Sequence, residues 1–77
     1  MISIERVRNR LAHLISHVTF EYNGKCCGVD PLSRNKFDMW YGDKYLTADS
    51  IGAVMEVKLF DGKSLQEIWD DIVDLEL

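Results

Sequence analysis

The stretch Val18-Thr19-Phe20-Glu21-Tyr22-Asn23-Gly24-Lys25-Cys26-Cys27-Gly28-Val29 decides the fold. Apolar and polar residues alternate on either side of Asn23-Gly24, the dipeptide best suited to the two positive φ angles of a type I′ turn, so a two-residue β-hairpin is predicted. That turn places Phe20 opposite Cys27 and Val18 opposite Val29 on the core side. Glu21 then faces Cys26, and Thr19 faces Gly28, on the other side. Neighbours in a strand point to opposite faces, so Cys27 is expected as a small core hydrophobe and Cys26 as a half-exposed thiol. Adjacent cysteines cannot cross-link the fold, and the pair lacks the two-residue spacer of redox and zinc motifs.

Outward from this hairpin, Asp30-Pro31-Leu32-Ser33-Arg34-Asn35 is expected as a loop, with Pro31 and the polar run ending the strand. Lys36 to Tyr41 alternates again, and Gly42-Asp43 turns the chain into a return strand that pairs Trp40 with Tyr45 and Met39 with Leu46. Phe37, Met39 and Leu46 join the core. Trp40 and Tyr45 are left side by side on the opposite face, which stays open if every helix packs on the core side. Such a pair can simply stabilise the hairpin. It can also be an aromatic anchor of the kind that dominates protein interfaces, and Trp40, Tyr41 and Tyr45 are the candidate anchors.

Residues 3 to 16 predict a helix capped by Ser3, with Ile4, Val7, Leu11, Leu14 and Ile15 on its apolar face. Arg6, Arg10, His13 and His17 share another face. His13 and His17 are spaced for chelation, but no neighbouring acid or cysteine supplies a third ligand, so no metal site is expected. After Thr47, a short helix from Ser50 to about Val57, capped by Thr47 or Asp49, competes with a fifth strand over Met55-Glu56-Val57-Lys58-Leu59, and the helix is preferred. Asp61-Gly62-Lys63 is a turn. Ser64 and Glu67 then form a capping box for a last helix with the stripe Leu65, Ile68, Trp69, Ile72 and Leu75. Its opposite face carries Glu67, Asp70, Asp71 and Asp74, acids that oppose the macrodipole toward the C-terminus.

The segment from Asp49-Ser50-Ile51 through Lys58-Leu59-Phe60-Asp61-Gly62-Lys63-Ser64-Leu65 to Ile68-Trp69-Asp70-Asp71-Ile72 resembles one found in small uncharacterised proteins of Gram-positive bacteria and their mobile elements. The resemblance implies a short helix before the turn and brings no catalytic motif.

Seventy-seven residues, 47% hydrophobic and 29% charged, make one ordered domain over residues 1–77 with little room for an internal pocket. The expected architecture is α+β: an N-terminal helix, a four-stranded antiparallel meander of two hairpins, and one short and one longer C-terminal helix, packed on one sheet face. The net charge is −4, with the basic residues weighted to the first forty positions and the acids to the remainder. That balance argues against a general nucleic-acid binder. No apolar run suffices for a membrane span or a signal peptide, so a cytoplasmic location is expected. Asp61-Gly62-Lys63-Ser64 lacks the earlier glycine of a phosphate-binding loop, and no nucleophile elbow is present. No cofactor and no catalytic set are therefore expected. The leading expectation is a protein-interaction or regulatory module that binds an unknown protein partner through Trp40, Tyr41, Tyr45, Asp70, Asp71 and Asp74. The alternative is nucleic-acid binding through the Arg6, Arg8, Arg10 and His17 region, repeated across a homodimer.

Overall fold

The computed structural model describes residues 3–13 and 17–76. The chain is α+β: α1 (Ile4–Ala12), β1 (Val18–Tyr22), β2 (Lys25–Ser33), β3 (Lys36–Tyr41), β4 (Lys44–Ala48), α2 (Ile51–Glu56), α3 (Leu65–Ile68) with a 3-10 turn (Trp69–Asp71), and β5 (Val73–Glu76). The strands form one antiparallel sheet in the order β4-β3-β2-β1-β5.

The first hairpin has the predicted register, with Phe20 opposite Cys27 and Thr19 opposite Gly28. Its turn residues Asn23 and Gly24 have φ of 57° and 75°, the left-handed values that Asn and Gly tolerate best. The second hairpin also turns through two residues and pairs Trp40 with Tyr45.

Between the hairpins the structure corrects the expectation. β2 runs on to Ser33, and Pro31 lies inside it opposite Phe37, with an irregularity before Ser33. The tolerance for proline follows from the ladder. The Cys26 carbonyl accepts from the Gly42 N–H at 2.8 Å, on the β3 side, so the alternate residues 27, 29 and 31 direct their backbone groups toward β1. The β1 pairing ends at Val18 opposite Val29. Pro31 therefore lacks its N–H where no ladder partner stands among the described residues.

The sheet has five strands rather than four. The expected long C-terminal helix gives way after a four-residue α3 and its 3-10 turn, Ile72 is extended, and Val73–Glu76 pairs with β1 through Thr19 opposite Glu76 and Glu21 opposite Val73. Asp70 and Asp71 at the helix C-terminus oppose its dipole, whereas β1 offers an unpaired edge that a strand satisfies. Asp74 takes φ of 54° at the register shift between the two pairs, a left-handed bulge conformation that Asp accepts more readily than most residues.

Each helix is fixed by a local cap. The Ser3 hydroxyl accepts from the Arg6 N–H at 3.3 Å and the Ser50 hydroxyl from the Ala53 N–H at 3.0 Å, so Ser50, not Thr47 or Asp49, caps α2. At α3 the predicted capping box is complete. Ser64 Oγ accepts from the Glu67 N–H, and Glu67 Oε1 accepts from the Ser64 N–H at 3.0 Å while also pairing with Lys58. α1 ends at Ala12 with His13 as its C-cap, and the chain between His13 and His17 lies outside the described residues. The expected continuation over Leu14 and Ile15 lies outside the described residues.

One core joins the helices to alternate strand positions: Val7 and Leu11 of α1, Val54 and Met55 of α2, Leu65 and Ile68 of α3, and Val18, Phe20, Cys27, Val29, Phe37 and Met39 of the sheet. Phe60, in the loop before α3, is fully buried against Phe20 and Tyr41 at ring separations of 5.8 and 5.9 Å. Among the described residues no helix is long and apolar enough to cross a membrane.

Candidate functional site: the open face of the sheet

Strand alternation sends to the other face the residues that the core does not use: Thr19 and Glu21 from β1, Cys26, Gly28 and Asp30 from β2, Asp38 and Trp40 from β3, and Tyr45 and Thr47 from β4. Tyr45 is 79% exposed and Trp40 is half-buried. Trp40 owes its burial to Gly28, its partner across the β2–β3 ladder. A Cβ on Gly28 would lie 2.2 Å from Trp40 Cζ2 and 2.6 Å from Cη2, so the indole rests directly on the glycine backbone. An aromatic ring laid over a strand glycine covers the backbone that the missing side chain leaves bare. It also leaves the indole flat and fixed in the middle of the face.

On the β1 side of the indole, Thr19, Glu21, Cys26, Trp40, Asp74 and Glu76 line an open groove of about 650 Å³. On the β4 side a smaller hollow of about 250 Å³ is lined by Asp30, Asp38, Trp40, Tyr45 and Thr47. Within it Thr47 Oγ1 donates to Asp38 Oδ1 at 3.0 Å. Carboxylates thus flank the indole on both sides. The strand positions facing this way include one cation, Lys36, at the far end of β3. Lys25 and Lys44, opposite Tyr22 and Tyr41, belong to the core-side alternation.

The structure divides the residues singled out from the sequence. Trp40 and Tyr45 are adjacent, and Asp74 joins Trp40 in the groove wall. Tyr41 is not an exposed anchor. It is buried, shares the parity of Phe37 and Met39, stacks edge-on against Phe60, and accepts at its hydroxyl from Asn23 Nδ2 at 3.2 Å. Lys25 covers its ring, with Nζ 5.0 Å from the centroid. Asp70 and Asp71 are exposed in the 3-10 turn and line neither depression. Glu21, Gly28 and Glu76 were missed. Glu21 was already assigned away from the core by the first hairpin, but Gly28 meets Trp40 only once β2 and β3 are known to pair, and Glu76 only once β5 is a strand.

The open face brings together one fixed indole, one exposed phenol and an excess of carboxylates. Cys26 is exposed, whereas Cys27 faces the core and burial pushes its thiol up to about 11. Among the described residues no three His, Cys, Asp or Glu side chains gather as a metal-holding group. No protein-family model matches the chain, and no curated protein or solved structure is significantly similar to it.

Proposed function

We propose that this protein is a small protein-interaction module that docks a partner on the open face of its sheet, with Trp40 and Tyr45 as the anchoring side chains. One observation carries the reading. The buried residues of all three helices share a core with one set of strand positions, while the alternate set carries an exposed tyrosine beside a tryptophan held flat on Gly28. Aromatic side chains with restricted conformations give large contact area at small entropic cost, which is why Trp and Tyr are enriched among the residues that dominate binding energy. The pre-positioned indole loses little freedom when a partner covers it. Asp70 and Asp71, exposed away from the face, add to the negative field around it rather than to the contact.

The test is site-specific photo-crosslinking in the source cells. A benzophenone side chain at Tyr45 is expected to give discrete protein adducts that disappear when Trp40→Ala is added. The same group at Asn9, exposed on α1, is expected to give none of them. Identical adducts at both positions, or none at Tyr45, would remove the open face as the interface.

A further inference from the structure

We propose that the groove between Trp40 and β5 takes a cationic side chain, arginine best, from an extended segment of the partner. This rests on the reading of the open face as a docking surface and adds the chemistry of what docks there. The first support is charge. Glu21 on β1 and Asp74 and Glu76 on β5 come from opposite sides of one strand pair and converge on the same groove, so like charges are gathered with no cation among the lining residues. A cationic side chain entering the groove complements that charge.

The second support is the platform. The Trp40 indole forms one wall of the groove and is locked by contact with the Gly28 backbone. Indole is the best aromatic partner for a cation. A guanidinium is planar, stacks on such a ring and offers its N–H fork to carboxylates at the edge. An ammonium has the charge without the plane, hence the preference for arginine. The third support is shape. The groove is open and about 650 Å³ in volume, which suits side chains projecting from a surface-lying segment rather than an engulfed small molecule. The hollow on the far side of Trp40, with Asp30 and Asp38, repeats the arrangement of acids beside the indole. An extended segment presents alternate side chains on one face, so cationic residues of a single segment can be placed on both sides of Trp40.

The probe is the peptide acetyl-Thr-Arg-Thr-Arg-Thr-amide, titrated into the ¹⁵N-labelled full chain, with the Glu-for-Arg peptide as control. Saturable shifts of the Trp40 indole N–H and of the Thr19, Glu21 and Glu76 amides are expected, with none from the Glu peptide. The triple variant Glu21→Gln, Asp74→Asn, Glu76→Gln is expected to weaken binding at least tenfold. The variant Glu56→Gln, Asp70→Asn, Asp71→Asn, which removes the same number of charges away from the face, is expected to weaken it less than threefold. Glu21→Lys alone gives the same discrimination should the groove triple variant lose its fold. Shifts spread evenly over the acidic surface, or equal losses in the two triple variants, would overturn the proposal in favour of non-specific ion pairing. If Tyr45 adducts form as above while the arginine peptide leaves the groove unshifted, the docking surface stands and the cationic occupant is refuted.

Discussion

Replacing Gly28 by alanine tests the contact that fixes Trp40. The new methyl group would lie 2.2, 2.6 and 2.7 Å from three atoms of the indole, far inside the ~3.5–4.0 Å at which carbon atoms make favourable contact. The ring must lift or the two strands must part. Overpacking of this kind costs about 1–3 kcal/mol. An opposing term exists, because Gly28 is not among the positive-φ glycines, and at an ordinary φ alanine stabilises by about 0.4–1 kcal/mol through the lower entropy of the unfolded chain. Gly28→Ala is therefore expected to destabilise the native chain by roughly 1–2 kcal/mol after both effects. In a Trp40→Ala background the clash is gone, and the same change is expected to stabilise by about 0.5 kcal/mol. The coupling between the two sites comes to about 2 kcal/mol, in the upper part of the range for residues in contact. Urea unfolding of the four proteins, followed by far-UV circular dichroism, measures it directly. A chain of this length is expected to hold roughly 4–12 kcal/mol, enough to keep the single variants folded. Additivity within about 0.5 kcal/mol would show that the indole does not rest on Gly28 and is not held as a fixed platform.

Three other outcomes follow from the structure. Tyr41→Ala is expected to cost about 3–5 kcal/mol, as a buried aromatic does, while Tyr41→Phe costs about 1 kcal/mol for the bond from Asn23; equal, small effects in urea denaturation would restore Tyr41 to the surface. Glu67 is held down to about 2 by its hydrogen bond with Lys58 and by those with Ser64. A depressed carboxyl contributes stability above its unfolded value near 4.5 and loses it as pH falls toward 2, so the melting temperature of the native chain is expected to drop more steeply between pH 4.5 and 2 than that of Glu67→Gln; parallel profiles would refute the pairing. In the folded chain iodoacetamide is expected to modify Cys26 and spare Cys27, which is buried with its thiol raised to about 11, until denaturant is added; simultaneous modification read by mass spectrometry would contradict the strand parity.

The parts legible in the sequence were those set by a local turn. Asn23-Gly24 and Gly42-Asp43 determine both hairpin registers within a few residues, and parity then places Phe20, Cys27, Phe37 and Met39 inward. The misread parts depend on neighbours distant in the chain. Pro31 signals a loop locally, and only the end of β1 opposite Val29 shows why it can stay in a strand. Val73-Asp74-Leu75-Glu76 is too short for its alternation to compete with the helical stripe that Leu75 extends, so β5 becomes visible only against the free edge of β1. Tyr41 had the parity of a core residue, yet its position in an aromatic run suggested a surface cluster. Phe60 sits between turns without any periodic signal, and its burial against Phe20 and Tyr41 is set by residues distant in the chain.

The fifth strand also changes what the uneven distribution of charge means. Read along the chain, Glu67, Asp70, Asp71 and Asp74 describe a solvated helix face, where charges are spread and screened by water. Folding divides those acids between two surroundings. Glu67 is consumed by the α3 cap and Lys58, and Asp70 and Asp71 stay exposed in the 3-10 turn. Asp74 and Glu76 are carried by β5 to the edge of β1, where Glu21 already points away from the core. Without β5 the groove beside Trp40 would keep Glu21 alone among its carboxylates, with Asp30 and Asp38 in the hollow on the far side of the indole. Because β5 pairs with β1, the same indole has Glu21, Asp74 and Glu76 together in the lining of its groove, and the proposed preference for a cationic occupant rests on that pairing.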